Sequence, residues 1–322
     1  MRRVGCLALL IGLLLGGAVL WAVWSWGGAG PAPRELTVTV PQGASLSGAA
    51  TQLEKAGAVR SARQFLLLAR AFGASTPIRA GEYRVAKGMS ASDVLKLLQE
   101  GKTLQRFVTV PEGWPAVLVH DALMAAPTLT GTVEVPAEGS VLPDSYSYDR
   151  GATRGSVLAR MERAMTEYLA NAWAKRKPTT VATSPREALI LASIVEKETG
   201  KPDERRMVAA VYSNRLRRGM PLQADPTTIY PITKGRPLGR RILRSELQAK
   251  NGYNTYAMRG LPVGPIANPG RASIDAVLDP AASGALYFVA KGDGGHVFAD
   301  TLEQHNANVQ KWYALRRARG EM

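Results

Sequence analysis

The sequence predicts an α+β protein that a single N-terminal helix anchors in a membrane. Three observations support this fold class. The first thirty residues contain an uncharged span that is long enough to cross a bilayer. Short alternating strands and amphipathic helices then indicate a small first module. The remaining two thirds combine a strongly capped helix with further helical and extended stretches, which indicates a mixed α/β domain.

Positive charge dominates the composition of the 322-residue chain. It has 41 Lys and Arg against 26 Asp and Glu, a formal net charge of +15 and a pI near 10.1. Such a surface attracts polyanions, whether nucleic acid, acidic lipid head groups or an acidic glycan. Residues 201–250 hold 12 basic and four acidic residues, more than half of the excess. This run suits an acidic glycan or an anionic membrane face, or it is a solvated surface without a partner.

The N-terminal span predicts the location of the protein. Residues 6–26 carry no charge, two arginines precede them and three tryptophans crowd the far end. The positive-inside rule leaves residues 1–5 as a cytoplasmic tail and places the body outside the cytoplasm, on a single-pass anchor in the cell (inner) membrane. The alternative is a cleaved signal peptide, but its apolar region usually has about 7–15 residues. We therefore expect an uncleaved anchor. The only cysteine, Cys6, lies within it, so no disulfide can form in the exported body.

A Gly/Pro-rich linker at 27–35 separates the anchor from the first module. Alternating apolar and polar residues predict strands in ELTVTV and IRAGEYRV. Two helical stretches lie between these strands, and a helix capped by Ser90 or Ser92 follows the second strand. The βααβ order predicts a small α+β module over residues 36–106.

The second domain is expected over residues 107–322. It opens with FVTVPEGW and continues with AEGSVLPDSYSY, which predicts an extended loop. A long amphipathic helix is expected over about 156–175. The densest part of the domain begins near residue 184 and runs to residue 306.

A buried helix with two acids near its end is the central feature of that part. Ser184 and Glu187 form a capping box around Pro185, and Gly200 is placed to end the helix. Apolar side chains cover nearly its full circumference, which indicates a helix buried on all sides. Its second half, LASIVEKETG, nevertheless carries Glu196 and Glu198 on roughly opposite faces.

A carboxyl group in an apolar environment has a raised pKa, because its charged form loses hydration. Such a group keeps its proton near neutral pH and can donate it to a glycosidic oxygen. The alternative is an acid that turns outward at the helix end or pairs with an arginine. Helix geometry alone does not choose between Glu196 and Glu198.

Four sequence blocks carry a resemblance to a known family. They are IVEKETG, VYSNRLRRGMPLQADPTTIY, YNTYAMRGLPVGPIANPG, and LYFVAKGDGGHVF with a following HN. In this order and spacing the chain resembles the membrane-anchored endolytic murein transglycosylases of the YceG-like family. The resemblance also takes in the anchor, the first module and the PEG and EGSVLPD motifs, so it covers nearly the whole chain. It implies a LysM-like module at 36–106 and a YceG-like catalytic domain at 107–322.

The resemblance implies a peptidoglycan lytic transglycosylase, which is a lyase. It would cleave the MurNAc–GlcNAc β-1,4 bond of nascent glycan strands and leave 1,6-anhydro-MurNAc ends. One general acid/base suffices because the substrate's own C6 hydroxyl is the nucleophile, and the resemblance assigns this role to Glu196, the first Glu of EKET. No metal or other cofactor is expected. The family implies work beside peptidoglycan synthases (penicillin-binding proteins), where the enzyme terminates or releases growing strands.

Polar and aromatic residues of the other blocks are candidate substrate-binding residues. They are Gln223, Asp225, Thr227, Tyr253, Asn254, Thr255, Tyr256 and His296. Asp225 is also a turn former, or the second carboxylate of a hydrolase that activates water. His296 and His305 are equally open to structural roles, and Glu198 is expected to pair with an Arg or Lys. A non-catalytic wall-binding scaffold is a further alternative, whereas a nucleic-acid partner is not expected for an exported body.

Overall fold

The computed structural model describes residues 2–321, together with the side chains from residue 10 onward; Met1 and the side chain of Cys6 therefore lie outside the described part. Within residues 2–321 there are twelve α-helices, one 3-10 helix and six strands in three two-stranded sheets. The chain divides into two compact units. The first extends to Arg106 and includes Ser147–Arg150, and the second consists of Phe107–Tyr146 and the chain from Gly151.

The first helix, α1 (Arg2–Gly27), contains the predicted anchor. Its part from Leu10 to Gly27 has a mean hydropathy of 1.7 and is largely exposed, with 6% of that window buried. By length and composition it is the one helix among the described residues that could cross a membrane. The segment expected as a tail, residues 1–5, is already helical from Arg2.

The first unit continues with two strands and three helices. They are β1 (Leu36–Val40), α2 (Leu46–Lys55), α3 (Ala62–Phe72), β2 (Gly81–Val85) and α4 (Ala91–Glu100). The strands pair antiparallel, with Leu36 opposite Val85. The predicted order of strand, helix, helix and strand is therefore confirmed for these elements.

Serine caps and a small apolar core explain why these elements form. Ser45, Ser61 and Ser90 each accept a backbone N–H at the start of a helix, which satisfies a donor that has no partner within the helix. Leu53, Tyr83 and Leu98 are fully buried between the helices and the sheet. Of Ser90 and Ser92, the two serines expected as candidates, Ser90 is therefore the cap of α4. The hydroxyl of Ser92 hydrogen-bonds to that of Ser90.

The second sheet pairs β3 (Arg106–Thr109) with β4 (Ser145–Tyr148). Helix α5 (Ala116–Ala125) lies between them in the chain, and most of the residues from 126 to 144 form turns and extended chain. The predicted extended loop is present over residues 137–144, but the last four residues assigned to it, Ser145–Tyr148, form β4. The residues that cluster with the first unit, Ser147–Arg150, lie within the span that the sequence assigns to the second domain.

Helices form the body of the second unit. They are α6 (Arg154–Ala174), α7 (Pro185–Glu198), α8 (Arg205–Arg217), α9 (Asp225–Thr233), α10 (Arg244–Gln248) and α11 (Arg271–Leu278), with a 3-10 turn at Pro202–Glu204. Helix α7 packs against α6, α8, α9 and α11. Its Leu191, Ile194 and Val195 are fully buried. The predicted central helix is therefore confirmed.

The ends of α7 differ slightly from the prediction. Ser184 Oγ accepts the Glu187 N–H at 3.2 Å, as a capping box requires. The Glu187 carboxylate, however, accepts the backbone N–H of Thr183 at 2.7 Å instead of that of Ser184. At the other end the last helical residue is Glu198 and the cap is Thr199, so Gly200 is not part of the cap.

An antiparallel hairpin and a final helix complete the second unit. Strands β5 (Tyr287–Ala290) and β6 (His296–Ala299) pair with Phe288 opposite Phe298. Helix α12 (Leu302–Ala318) packs on both strands. Phe288 meets the ring of Tyr212 on α8 edge to face at 5.9 Å, so the hairpin is held against the helical core.

Candidate active site

A cleft of about 380 Å³ lies at the C-terminal end of α7. Its polar lining comes from all four motif blocks, namely Glu198, Tyr212, Gln223, Asp225, Tyr256 and His296. These residues lie far apart in the chain and belong to α7, α8, the start of α9, the loop after α10 and the β5–β6 hairpin. The fold therefore brings the four blocks to one place.

Glu198 is the acid of α7 that faces this cleft. Burial raises the pKa of Glu198 to about 7, and the nearby charge of Asp225 adds to the rise, whereas the Tyr212 hydroxyl and the Arg215 guanidinium oppose it. Its Oε1 is buried and has no hydrogen-bond partner among the described residues. A carboxyl group in this state keeps much of its proton near neutral pH.

Two neighbours of Glu198 are fixed by hydrogen bonds. The Tyr256 hydroxyl donates to Asp225 Oδ1 at 2.6 Å, which holds the second carboxylate of the cleft. Gln223 has a left-handed backbone with φ of 52°, and its Oε1 accepts from Arg215 Nη1 at 3.3 Å. Arg215 is itself buried and donates to the carbonyls of Leu222 and Leu286. The polar wall is thus built on a rigid internal arginine.

Histidines occupy two further positions of the cleft. His296 Nδ1 lies 2.8 Å from Glu204 Oε2, and its backbone N–H donates to Glu204 Oε1 at 2.9 Å. His305, on α12, stacks on the ring of Tyr287 at 5.2 Å. Burial, and then the charge of Arg215, lower the pKa of His305, which favours its neutral form. Only His296 is held by a carboxylate.

Glu196 lies in a different environment, two residues before Glu198. Its Oε2 accepts the Gly270 N–H at 3.0 Å, and Oε1 is 3.8 Å from Arg205 Nη2. Its side chain is 6% exposed. A Cβ added to Gly113 would lie 3.4 Å from the Cγ atom of Glu196, so the PEG motif packs directly on it. The surroundings of this carboxylate are buried but polar, and it does not line the cleft.

Four expected substrate-binding residues do not line this cleft. Thr227, Asn254 and Thr255 are fully buried, so they present no surface to a sugar. The hydroxyls of Thr227 and Thr255 are 2.8 Å apart, and Asn254 Nδ2 donates to three backbone carbonyls between residues 246 and 249. Tyr253 is half-buried and packs on Tyr230 with ring centroids 4.8 Å apart. These side chains shape the wall behind the cleft.

Three residues of the site were not among the sequence candidates. Tyr212 and Arg215 are three residues apart on α8 and so share one face, a spacing that could have identified them in the VYSNRLRR block. Glu204 belongs to no motif, and no sequence signal points to it. Among the side chains that the structure describes, from residue 10 to residue 321, no three His, Cys, Asp or Glu come together to hold a metal ion.

Comparisons with known proteins agree on one family. The model of the YceG-like family matches residues 38–311. The endolytic murein transglycosylase of Bacillus subtilis is 29% identical over 310 residues, which cover 86% of this chain and 84% of that protein. The protein of the same name from Streptococcus pneumoniae serotype 2 is 30% identical over 325 residues, covering 86% of this chain and 58% of that protein. A crystal structure of a YceG-like protein from Listeria monocytogenes superposes with a TM-score of 0.54 at 27% identity, covering 85% and 98% of the two chains.

Proposed function

Because the chain belongs to the YceG-like family, we propose that it is an endolytic murein transglycosylase, a lyase that cuts peptidoglycan glycan strands. The names of two relatives support the activity. The observation that carries the proposal is the position of Glu198, a buried carboxyl group with a pKa raised to about 7 in a cleft where four motif blocks meet.

In the proposed reaction a protonated carboxyl group of α7 donates its proton to the oxygen of the MurNAc–GlcNAc β-1,4 bond. The C6 hydroxyl of the MurNAc residue then attacks C1, which leaves a 1,6-anhydro-MurNAc end and needs no water. One acid is enough because the nucleophile belongs to the substrate. Most glycosidases, in contrast, need two flanking carboxyl groups.

The geometry favours Glu198 over Glu196 as this acid. The Oε2 atom of Glu196 already accepts the Gly270 N–H, its Oε1 atom lies 3.8 Å from Arg205 Nη2, and the residue does not line the cleft. Glu198 instead lines the cleft, and its buried Oε1 has no hydrogen-bond partner among the described residues. The assignment to Glu196 that the family resemblance implies stays a competing proposal, and one experiment separates the two.

Four of the expected residues line the cleft and are proposed to bind substrate. Gln223, Asp225 and Tyr256 offer amide, carboxylate and phenol groups to sugar hydroxyls, and His296 offers a ring nitrogen. The exposed face of Tyr256 also suits stacking against a pyranose ring.

The proposed location and partners follow from the N-terminal helix and from the family. The apolar helix α1 would hold the body at the outer face of the cell membrane, because two arginines lie at its N-terminal end, before the uncharged span. There the enzyme would meet nascent strands beside peptidoglycan synthases and terminate or release them. The βααβ elements of the first unit support a LysM-like module that contacts glycan.

A peptidoglycan hydrolase is the second candidate. Asp225 lies in the same cleft as Glu198, so it could activate a water molecule as the second carboxylate of a hydrolase. A wall-binding scaffold would bind strands without cutting them. Product analysis distinguishes these three functions.

The test uses the full-length protein in detergent and nascent, uncrosslinked glycan strands. Mass spectrometry should show products whose ends are one water lighter than hydrolysis products and resist borohydride reduction. Ends that borohydride reduces would support the hydrolase. Intact strands with the wild-type protein would support the scaffold and refute the proposed activity.

A further inference from the structure

Glu204 and His296 form a carboxylate–imidazole pair in the wall of the cleft. Glu204 holds both the ring and the backbone of His296, with contacts of 2.8 Å to Nδ1 and 2.9 Å to the backbone nitrogen. Both side chains are mostly buried, at 10% and 16% exposure. Phe288 fixes the ring further by an edge-to-face contact at 5.1 Å. This imidazole therefore has one orientation.

The contact with Glu204 also decides which nitrogen of His296 is free. A carboxylate only accepts hydrogen bonds, so Nδ1 carries the proton and Nε2 of the neutral ring is an acceptor. No atom of the described residues hydrogen-bonds to Nε2, and His296 lines the cleft that Glu198 enters. His296 thus brings an imidazole with an unengaged nitrogen to the cleft that the proposed acid also lines.

The proposed reaction must also pass the proton of the C6 hydroxyl to a base, and His296 offers a base in the cleft in addition to Glu198. Glu198 gives its proton to the leaving oxygen, and the C6 hydroxyl must lose a proton as its oxygen bonds to C1. A neutral imidazole suits this transfer, because its Nε2 can accept the proton, and histidine is the side chain that most often serves as a general base. The carboxylate behind the ring stabilises the imidazolium that forms, as in other carboxylate–histidine pairs.

We propose, on the basis of the proposed function, that His296 is the base that removes the proton of the C6 hydroxyl, and that Glu204 is its positioning residue. The C1–O4 bond breaks, and its electron pair stays on O4, which takes the proton of Glu198. An electron pair of O6 forms the C1–O6 bond, and the O6 proton moves to Nε2. Nothing is oxidised or reduced. After product release the imidazolium returns a proton to the Glu198 carboxylate through water, which restores both groups.

Chemical rescue tests this assignment. His296→Gly in the full-length protein should lower kcat on nascent strands by about 10²–10⁴-fold and change KM little. Added imidazole should restore a large part of the lost rate and yield the same anhydro ends, because it fits the space of the missing ring. His305→Gly is the matched control from the same cleft, and imidazole should not restore any rate lost there.

Two further variants test the assignment even if the His296→Gly protein does not fold. His296→Gln should keep the fold and lose a similar share of kcat, since an amide cannot accept the proton. Glu204→Gln should lower kcat at least about tenfold, because its amide would turn the imidazole to the wrong tautomer; Glu204→Asp should recover part of that loss.

Wild-type activity of His296→Gln would overturn the assignment, as would a folded His296→Gly variant that imidazole does not rescue. If the wild-type protein produced no anhydro ends, the proposed function itself would fail. Anhydro ends at an undiminished rate from the His296 variants would refute only the role of His296.

Discussion

The carboxylate of Glu196 accepts the backbone N–H of Gly270 at 3.0 Å. This contact ties the end of α7 to the NPG turn 74 residues later and turns the side chain of Glu196 away from the cleft. Glu198, two residues on, is thereby the acid of this helix that meets the cleft. The two acids of the EKET motif thus lie in different surroundings, and we propose that Glu198 is the catalytic one.

Replacement of Glu196 should destabilise the fold. Glu196→Ala leaves the Gly270 N–H without its acceptor and removes the carboxylate that lies 3.8 Å from the mostly buried Arg205, and an unsatisfied buried group costs about 1–3 kcal/mol. Glu196→Gln keeps an oxygen for Gly270 and should lose less. Unfolding of the full-length protein in detergent measures the difference. Glu112→Gln is the control, because Glu112 also approaches Arg205 but is 46% exposed. An equal loss in the control would contradict this account.

Asn254→Ala should reduce stability and leave the KM per folded molecule unchanged. The buried amide donates to the carbonyls of Glu246, Leu247 and Ala249, and all three would lose a donor. The expected loss is at least about 2 kcal/mol. Tyr256→Phe provides the comparison, because it removes a hydroxyl in the cleft and should raise KM with a smaller loss of stability. A raised KM in a stable Asn254→Ala protein would return this residue to the substrate-binding set.

Gly139, in the EGSVLPD motif, should not tolerate a side chain. Its φ is +79°, and an added Cβ would lie 2.8 Å from Pro265. Gly139→Ala should therefore be less stable than the wild type for two reasons. A non-glycine residue in the left-handed conformation costs about 1–2 kcal/mol, and the clash with Pro265 adds to that cost. Gly260 is the matched control, with φ of +84° and open space around the Cβ position. Equal midpoints of thermal unfolding for the two variants would show that the contact with Pro265 is unimportant.

Glu138 should make the stability of the protein depend on pH. Burial raises the pKa of Glu138 to about 7, although the hydrogen bonds from the Ala116 N–H and from Tyr230 act to lower it. A carboxyl group whose pKa is raised by folding stabilises the folded state at pH values below its ordinary pKa of 4.5. This contribution to stability is lost as the pH rises through 7.

The stability of Glu138→Gln relative to wild type should accordingly increase between pH 5 and 8, by on the order of 2–3 kcal/mol. Glu246→Gln is the control. Hydrogen bonds from Arg240 and from the Leu243 N–H lower the pKa of Glu246 to about 2, so its contribution is constant over that range and falls only in more acidic solution. Parallel pH curves for the two variants would contradict the environment assigned to Glu138.

Local signals explain why much of the fold is predictable from the sequence. The Ser184 cap and the apolar circumference of α7 are properties of neighbouring residues, and both appear in the structure. The βααβ order of the first unit likewise follows from the spacing of apolar residues and from the residues that cap the helices. The boundary around Ser147–Arg150 does not, because only tertiary contacts assign that short piece to the first unit.

The site is less predictable because contacts between residues far apart in the sequence decide which side chains line the cleft. Helix periodicity places Glu196 and Glu198 on different sides, but only the fold shows that Gly270 and Arg205 meet the first and Tyr212 the second. Polar residues of the YNTY block suggested a sugar-binding surface. Buried loop carbonyls need donors, however, and Asn254 fulfils that need instead.

The most direct test of the central claim compares Glu198→Gln with Glu196→Gln in full-length protein on the same nascent glycan strands. We predict that Glu198→Gln keeps the wild-type fold and loses cleavage, since an amide cannot supply the proton. Glu196→Gln should retain substantial cleavage per folded molecule. Full cleavage by Glu198→Gln, together with an inactive but folded Glu196→Gln, would reverse the assignment of the catalytic acid.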